Sequence, residues 1–262
     1  MIERKFIDLI ILKYILFGLL WTLLGVVVIY LLIWAISPLF ISKKVMTYDR
    51  NSKFYRWLLY SSTGIAMKIL RIRIHTNGFE NIPSGRFLFV CNHRSNFDPI
   101  ISWYAFRKYD LAFISKPENF DVVIYGRIIR KCCFLPIDRS NPRNSMKTIL
   151  DAVDLIKRDE VSIAVYPEGT RSKKYKLLKF HAGVFKIAQK ADVPIVVVTI
   201  QGGENVKGRY PFKHTDVYFD VLDVFDREKV RSPTTDELSN EARQLMLDKL
   251  EPENEAVNTA EK

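Results

Sequence analysis

The feature of this sequence that most restricts its fold is an uncharged stretch near the N-terminus. From Tyr14 to Ser42, 29 consecutive residues carry no charge, and most of them are apolar. A helix of about 20 apolar residues crosses the hydrocarbon core of a bilayer, whereas the apolar region of a secretory signal peptide has only about 7–15 residues. A buried core helix is the alternative interpretation. The stretch therefore predicts an N-terminal membrane-embedded helix or hairpin, within an anchor that covers residues 1–50.

The balance of charge predicts an anionic partner. The chain has 40 Lys and Arg residues against 29 Asp and Glu residues, a net charge of +11. Such an excess is typical of proteins that bind nucleic acid, an anionic membrane surface or a phosphorylated substrate. The sequence has no RNA-binding aromatic motif, basic recognition helix or zinc-finger spacing, so we expect membrane phospholipids as a partner and no nucleic acid.

Basic residues lie on both sides of the uncharged stretch. They are denser on its C-terminal side, which by the positive-inside rule places the rest of the chain in the cytosol. Basic flanks on both sides would also suit a segment inserted into a single leaflet. The flanking residues are Arg4, Lys5 and Lys13 before the stretch, and Lys43, Lys44, Arg50, Lys53 and Arg56 after it.

The number and spacing of the cysteines indicate the redox state of the compartment that holds the protein. Cys91, Cys132 and Cys133 lack the number and spacing of a disulfide framework or of a structural zinc site. Their pattern therefore indicates a reducing compartment.

Residues 51–70 predict an amphipathic connecting helix. Such a helix would lie at the bilayer surface or pack against the domain that follows, and both interpretations remain open. One face would carry Phe54, Trp57, Leu58, Ile65 and Ile69, with Lys53, Arg56 and Lys68 elsewhere on the helix.

Apolar strands and amphipathic helices alternate from residue 71 onward. This alternation predicts an α/β domain over residues 71–249, a mostly parallel central sheet flanked by helices. The last residues are polar and predict a disordered tail at 250–262. Strands are expected at residues 71–75, 86–91, 111–115, 134–137, 161–166, 194–200 and 216–225, and helices at 99–108, 144–159, 182–192 and 234–250.

A polar segment, "NHRSNFD" (residues 92–98), follows the predicted strand at 86–91. A neutral imidazole accepts a proton from a hydroxyl when a carboxylate holds its tautomer, so His93 could be a general base that Asp98 orients. Two alternatives remain open. Asp98 followed by Pro99 also suits a helix N-cap and first turn, and Cys91, His93 and Asp98 could ligate a metal ion.

Two further motifs follow predicted strands, where open α/β sheets bind their ligands. "PIDR" ends at Arg139, and "YPEGTRS" runs from Tyr166 to Ser172. Gly169 permits a left-handed turn whose N–H groups can face an anion, and the planar guanidinium of Arg171 matches phosphate oxygens. A surface turn with a solvated arginine is the alternative.

Together these segments resemble the four ordered motifs of the glycerolipid acyltransferases. "NHRSNFD" is similar to the first motif, "PIDR" to the second, "YPEGTRS" to the third, and "VPIVVVTI" at residues 193–200 to the fourth. The resemblance covers roughly residues 71–201. Within the family it extends to the 1-acyl-sn-glycerol-3-phosphate acyltransferases, which commonly carry an N-terminal membrane anchor.

The resemblance implies a membrane-bound enzyme that transfers a fatty acyl group from an acyl thioester to the free hydroxyl of lysophosphatidic acid, giving phosphatidic acid. His93 would be the general base and Asp98 would orient it, with no cofactor and no metal. The donor would be acyl-CoA or an acyl carrier protein. The residues implied to hold the phosphate of the acceptor are Lys116, Arg139, Glu168, Gly169, Thr170 and Arg171.

Two positions depart from the family pattern. Val197 stands where the fourth motif usually has a proline, which would alter a loop that lines the site, and His181 stands where a lysine is expected. These departures leave another lysophospholipid or a membrane hydroxy-lipid as alternative acceptors. A basic, membrane-bound protein that binds anionic lipid without chemistry is the non-enzyme alternative. His75 and His214 have no evident partner and are expected at the surface.

The compact length and the single apolar segment are typical of a bacterial protein. We therefore expect the bacterial cytoplasmic membrane, with the α/β domain facing the cytosol.

Overall fold

The computed structural model of the chain describes residues 2–42, 44–172 and 176–260. The side chains are described within residues 7–42, 44–172 and 176–250. The chain divides into two compact units, residues 1–44 and 45–262. The first unit therefore ends a few residues before the boundary expected at residue 50.

The first unit consists mainly of one long helix, α1 (Ile2–Ile36), followed by a 3-10 turn at Ser37–Phe40. Pro38 lies at the start of that turn, where its ring is incompatible with a continuing α-helix. The segment Ile7–Phe40 has a mean hydropathy of 2.6, and none of its most apolar part is buried in the structure. By length and composition, this helix could cross a membrane.

The second unit contains a seven-stranded sheet with the spatial order β1-β7-β6-β2-β5-β3-β4. Every neighbouring pair is parallel except β6 and β7, which are antiparallel. The strands are β1 (Ile72–Asn77), β2 (Leu88–Cys91), β3 (Leu111–Ser115), β4 (Leu135–Pro136), β5 (Ser162–Val165), β6 (Ile195–Gln201) and β7 (Thr215–Phe225). The expected α/β class with a mostly parallel sheet is confirmed.

Helices precede, connect and follow the strands. They are α2 (Lys53–Ile69), α3 (Asp98–Ala105), α4 (Tyr125–Lys131), α5 (Pro142–Lys157), α6 (Lys186–Ala191), α7 (Val206–Arg209), α8 (Arg227–Arg231) and α9 (Thr235–Ala260). Helix α9 extends past residue 250, where the sequence predicts disorder.

Helix α2 packs on the α/β layer, but with a different face from the one expected. Arg56, expected on the polar side, is 3% exposed and donates to the carbonyl oxygens of Leu111 and Cys132 at 2.9 and 3.1 Å. Its guanidinium also lies 4.6 Å from the centre of the Trp103 ring. A buried arginine satisfied in this way is stable inside the fold. Leu58 is buried as well, whereas four of the predicted apolar residues remain exposed: Phe54, Trp57, Ile65 and Ile69.

The parallel strands bring their carboxyl ends to one edge of the sheet. The segments that follow β2, β3, β4 and β5 carry the first motif, Lys116, the second motif and the third motif, so all of them lie along this edge. The fourth motif is strand β6 itself. Val197 pairs with Val90 in the middle of the sheet and is fully buried. The expectation that Val197 alters a loop is therefore wrong, because a valine at this position continues a central strand.

Candidate active site

His93 and Asp98 are in direct contact at the carboxyl end of β2. The His93 Nδ1 atom lies 3.0 Å from Asp98 Oδ2, and the Asp98 side chain is 1% exposed. A carboxylate can only accept a hydrogen bond here, so in the neutral imidazole Nδ1 carries the proton and Nε2 carries the lone pair. None of the described residues hydrogen-bonds Nε2, and His93 lines an open pocket. This is the arrangement that a general base requires.

The same Asp98 oxygen also organises the loop that carries His93. It accepts the backbone N–H groups of Arg94 at 2.7 Å and Ser95 at 2.6 Å. Both residues precede helix α3, and the N-cap position of that helix is Phe97, without a side-chain capping bond. The carboxylate therefore points back toward the loop. The alternative in which Asp98 caps its own helix is not what the structure adopts.

The second oxygen of Asp98 faces Gly203, in the turn that follows β6. Asp98 Oδ1 is buried and has no hydrogen-bond partner among the described residues. A Cβ atom added to Gly203 would lie 2.5 Å from it. The Gly203 carbonyl also accepts a hydrogen bond from Ser95 Oγ at 2.9 Å. The position of the carboxylate thus depends on a glycine that the sequence analysis did not single out.

Glu168 holds the backbone of the first motif. Its Oε1 atom accepts the N–H group of His93 at 2.7 Å, and its Oε2 atom accepts that of Leu178 at 3.0 Å. The side chain is 3% exposed and does not line the pocket. Burial raises the pKa of the Glu168 carboxyl, and the two N–H groups oppose that rise. This geometry corrects the expectation that Glu168 holds phosphate, because a carboxylate repels an anion and both of its oxygens already have donors.

Tyr166, directly after β5, fixes the plane of the imidazole. Its ring stacks on that of His93 with the centroids 4.5 Å apart and an angle of 23° between the planes. On the same strand end, Tyr166 OH donates to Ser102 Oγ at 3.1 Å, and Ser172 N donates to the His93 carbonyl at 2.9 Å. Both the ring and the backbone of His93 are therefore held by residues of the third motif.

A polar pocket of about 350 Å³ opens at His93. It brings together residues from three separate sequence motifs. Its three cations are Lys116, Arg139 and Arg171, and none of them forms an ion pair within the described part of the chain. Unpaired cations converging on one cavity favour an anionic ligand. The lining residues are His93, Asn96, Pro99, Phe113, Ile114, Ser115, Lys116, Asn119, Arg139, Tyr166, Gly169, Thr170 and Arg171.

Gly169 allows the pocket to form. Its φ angle is +69°, and a Cβ atom at this position would lie 2.9 Å from the His181 ring and 3.3 Å from Arg139 Nη1. Arg139 Nη1 donates a hydrogen bond to the Gly169 carbonyl, which aligns the guanidinium along the pocket wall. The left-handed turn expected at Gly169 is therefore present.

A second, more apolar cavity of about 200 Å³ adjoins the first. The two cavities share Ile114, Arg139, Tyr166 and Gly169 in their walls. The remaining wall of the second cavity is Ile137, Ser145, Ile149, Val165, Pro167, His181, Gly183 and Val184. His181, where a lysine was expected, lies in this second cavity.

Other polar residues of the sequence analysis have roles away from the pocket. His75 lies 2.8 Å from Asp216 and stacks on Tyr218, and His214 Nε2 lies 2.9 Å from Arg71 Nη2. The expectation that His75 and His214 lack partners is wrong, because β1 and β7 are neighbours only in the folded sheet. Cys91 is fully buried, and burial raises the pKa of its thiol well above the usual value.

Asn92 links the first and fourth motifs. Its side chain accepts the N–H group of Ile200 at 2.8 Å and donates to the carbonyl of the same residue at 3.0 Å. Together with Tyr166 and Gly203, it is a site residue that sequence reasoning missed. Asn92 and Tyr166 are each the first residue of a motif, which is a sequence signal. Gly203 has no such signal beyond its position after a buried strand.

Comparison with known proteins identifies the class of this domain. Residues 73–201 match the family model described as Acyltransferase, and these residues include His93, Asp98 and the three cations of the pocket. Residues 73–201 are therefore similar to an acyltransferase domain.

The similar curated proteins indicate which kind of acyltransferase the chain resembles. The chain is 34% identical over 148 residues to the "Probable 1-acyl-sn-glycerol-3-phosphate acyltransferase" of Mycoplasma pneumoniae, an alignment that covers 55% of each protein. It is 28% identical over 209 residues to the 1-acyl-sn-glycerol-3-phosphate acyltransferase of Streptococcus pneumoniae, covering 76% of this chain and 73% of that protein. The chain thus spans about half of the first relative and about three quarters of the second.

A solved structure shares the fold. The 1-acyl-sn-glycerophosphate (LPA) acyltransferase PlsC from Thermotoga maritima superposes with a TM-score of 0.62 at 25% identity, covering 76% of this chain and 82% of that one. In both sequence and fold, this chain therefore resembles proteins named as 1-acylglycerol-phosphate acyltransferases.

Proposed function

We propose that this protein transfers a fatty acyl group from an acyl thioester to the free hydroxyl of lysophosphatidic acid, giving phosphatidic acid. The observation that carries the proposal is the His93–Asp98 pair facing a pocket whose three cations form no ion pair with a described residue. The similarity to 1-acyl-sn-glycerol-3-phosphate acyltransferases supports the choice of acceptor.

In the proposed reaction, His93 Nε2 takes the proton of the acceptor hydroxyl as its oxygen attacks the thioester carbonyl. Asp98 keeps Nδ1 protonated and stabilises the imidazolium that forms. The tetrahedral intermediate collapses with cleavage of the carbon–sulfur bond, and His93 returns its proton to the leaving thiolate. The products are the new ester and a free thiol, so the mechanism needs no acyl-enzyme nucleophile.

The phosphate of the acceptor is assigned to the cationic wall of the pocket. Arg139 and Arg171 present planar guanidinium groups, and Lys116 adds a point charge from the end of β3. Gly169 and Thr170 complete this wall, while Glu168 positions the backbone of His93. The adjoining apolar cavity offers space for an acyl chain, and the donor is acyl-CoA or an acyl carrier protein.

We also propose that α1 holds the protein in the bacterial cytoplasmic membrane with the α/β domain in the cytosol. Its apolar length supports membrane association. The proposed lipid acceptor also favours membrane anchoring, because an anchored enzyme reaches a substrate in the bilayer without first having to bind the membrane from solution.

The first prediction concerns the base. His93→Ala should lower turnover by roughly 10²–10⁴-fold, the usual contribution of a general base. The assay measures thiol release from an acyl thioester in the presence of lysophosphatidic acid. His75→Ala is the matched control, since His75 also pairs with an aspartate but on edge strand β1. Near-normal turnover of the folded His93 variant would refute the assignment, and no thiol release by the unaltered protein would favour a lipid-binding protein without chemistry.

The second prediction concerns the glycine behind Asp98. Gly203→Ala should lower kcat by about 10–10²-fold, because a displaced carboxylate misaligns the imidazole, while KM changes little. Gly25→Ala, in α1, is the control, because no described atom outside its own helix turn lies within 4 Å of a Cβ there. If Gly203 acts through Asp98, adding Gly203→Ala to Asp98→Asn should cost little further activity. Additive losses in this double-mutant cycle would contradict the role given to Gly203.

The third prediction concerns phosphate. Arg171→Ala should raise the KM for lysophosphatidic acid by about 10–10²-fold, the equivalent of a lost charge-assisted hydrogen bond, and Arg139→Ala should do the same to a smaller degree. The comparison acceptor is monoacylglycerol, which lacks phosphate, and its KM should not change. Arg143→Ala provides an exposed arginine outside the pocket as a control. An equal loss with both acceptors would mean that Arg171 supports the fold or the donor.

The fourth prediction concerns the anchor. The full-length chain should stay with the membrane after alkaline carbonate, because an apolar helix in the hydrocarbon core is not held by charge. A chain beginning at Val45 should be released by high salt, which screens surface attraction. Centrifugation and immunoblotting measure both results. Full-length protein in the supernatant after carbonate would overturn the anchor proposal.

A further inference from the structure

We propose that two exposed loop tips beside the active site form a bipartite surface that inserts into an anionic lipid bilayer. The β3 tip is residues 121–124, which follow β3 and its 3-10 turn. The β6 tip is residues 207–213, which lie between β6 and β7. The inference rests on the proposed lipid acceptor. Insertion of the tips can nevertheless be tested without an assay of acyl transfer.

The sheet topology places the tips on either side of the site. The order β6-β2-β5-β3 is parallel throughout, so all four strands end at the same edge. The inner two strands carry His93 and the third motif, and the outer two lead to the tips. A flat surface that touches both tips would therefore face the pocket between them.

The β6 tip combines aromatic side chains with cations. Phe212 is 85% exposed, and Tyr210 is 44% exposed. Lys207, Arg209 and Lys213 surround them, and in the described part of the chain these cations form no ion pair with a carboxylate. Exposed aromatics among basic residues are typical of segments at the lipid head-group level.

The β3 tip is aliphatic except for its first residue, the exposed Asp121. Val122, Val123 and Ile124 are 50%, 78% and 39% exposed, and they lie a few residues after Lys116 and Asn119 of the pocket wall. Consecutive exposed aliphatic residues are unfavourable in water and indicate a covered surface.

Both tips have a fixed base. The segment that leads from β6 to the β6 tip includes Gly203, whose carbonyl accepts a hydrogen bond from the Ser95 hydroxyl of the catalytic loop. At the β3 tip, Phe120 is 1% exposed and its carbonyl accepts Arg130 Nη2 at 2.7 Å. The tips are therefore held in place relative to His93, so contact with a bilayer would bring the pocket mouth to the head groups.

The positive charge of the β6 tip favours an anionic bilayer, rather than another protein, as the partner that covers this surface. Its cations match phosphate head groups while its aromatics suit the interface below them. A second copy of this chain would bring a second set of the same unpaired cations to the contact, which like-charge repulsion disfavours. The surface thus differs from α1: it orients the α/β domain, whereas α1 would only retain it.

The test attaches an environment-sensitive fluorophore to a cysteine introduced into the full-length chain. The three native cysteines are buried, so the unaltered protein sets the background of labelling. The variants are Val123→Cys and Phe212→Cys, with Lys190→Cys as an exposed control on α6, which leads into the opposite end of β6. Each is reconstituted into vesicles of phosphatidylcholine and phosphatidylglycerol that carry nitroxide groups on the acyl chains.

The labels at 123 and 212 should both be quenched by the nitroxide lipids, and the label at 190 should not. Replacing Lys207, Arg209 and Lys213 with Gln, or using pure phosphatidylcholine, should weaken the quenching at 212. Quenching at only one tip or at neither would overturn the proposal. Blue-shifted emission without quenching would also overturn it, because the tips would then be covered by protein.

An activity measurement separates this proposal from the function itself. Val123→Ser and Phe212→Ser should lower turnover several-fold on lysophosphatidic acid in vesicles and leave it unchanged on detergent-dispersed substrate. Equal loss in both conditions would overturn the membrane role. If the unaltered protein transfers no acyl group while both labels are quenched, the proposed function fails and the membrane surface stands.

Discussion

The buried carboxylate of Asp98 is the interaction on which the site depends. One of its oxygens accepts three N–H groups, from the His93 ring and from the backbones of Arg94 and Ser95. Burying a charge is costly unless hydrogen bonds compensate it, and here the compensating donors are the loop and the imidazole themselves. The tautomer of His93 and the shape of its loop are therefore consequences of one desolvated charge.

The surrounding motifs make that arrangement rigid. Glu168 and Ser172 hold the N–H and carbonyl groups of His93, Tyr166 covers its ring, and Asn92 ties the loop to β6. Each contact joins the ends of different strands. The cations of the pocket, by contrast, form no ion pair with any described residue. This difference separates the groups that maintain the geometry from the groups available to a ligand.

The sequence predicted much of the fold because its signals there are local. The apolar run of β6 and the uncharged length of α1 need no partner to be recognised. Local sequence patterns gave wrong predictions for side chains whose role depends on burial. Arg56 looks polar in sequence, yet its guanidinium satisfies the carbonyl groups of Leu111 and Cys132 inside the domain. Glu168 appears in a motif associated with phosphate, yet its carboxylate serves the backbone.

By itself, the sequence determined the alternation of strands and helices, the apolar helix, and the short His93–Asp98 spacing that allows the two side chains to meet. Only the tertiary structure decided that Asp98 turns toward the loop, that Glu168 reaches the N–H group of a residue 75 positions earlier, and that Gly203 makes room for the carboxylate. It likewise decided that Lys116, Arg139 and Arg171 share one pocket. The physical reason is that these contacts depend on which strands become neighbours, and strand order follows from long crossover connections that local periodicity does not encode.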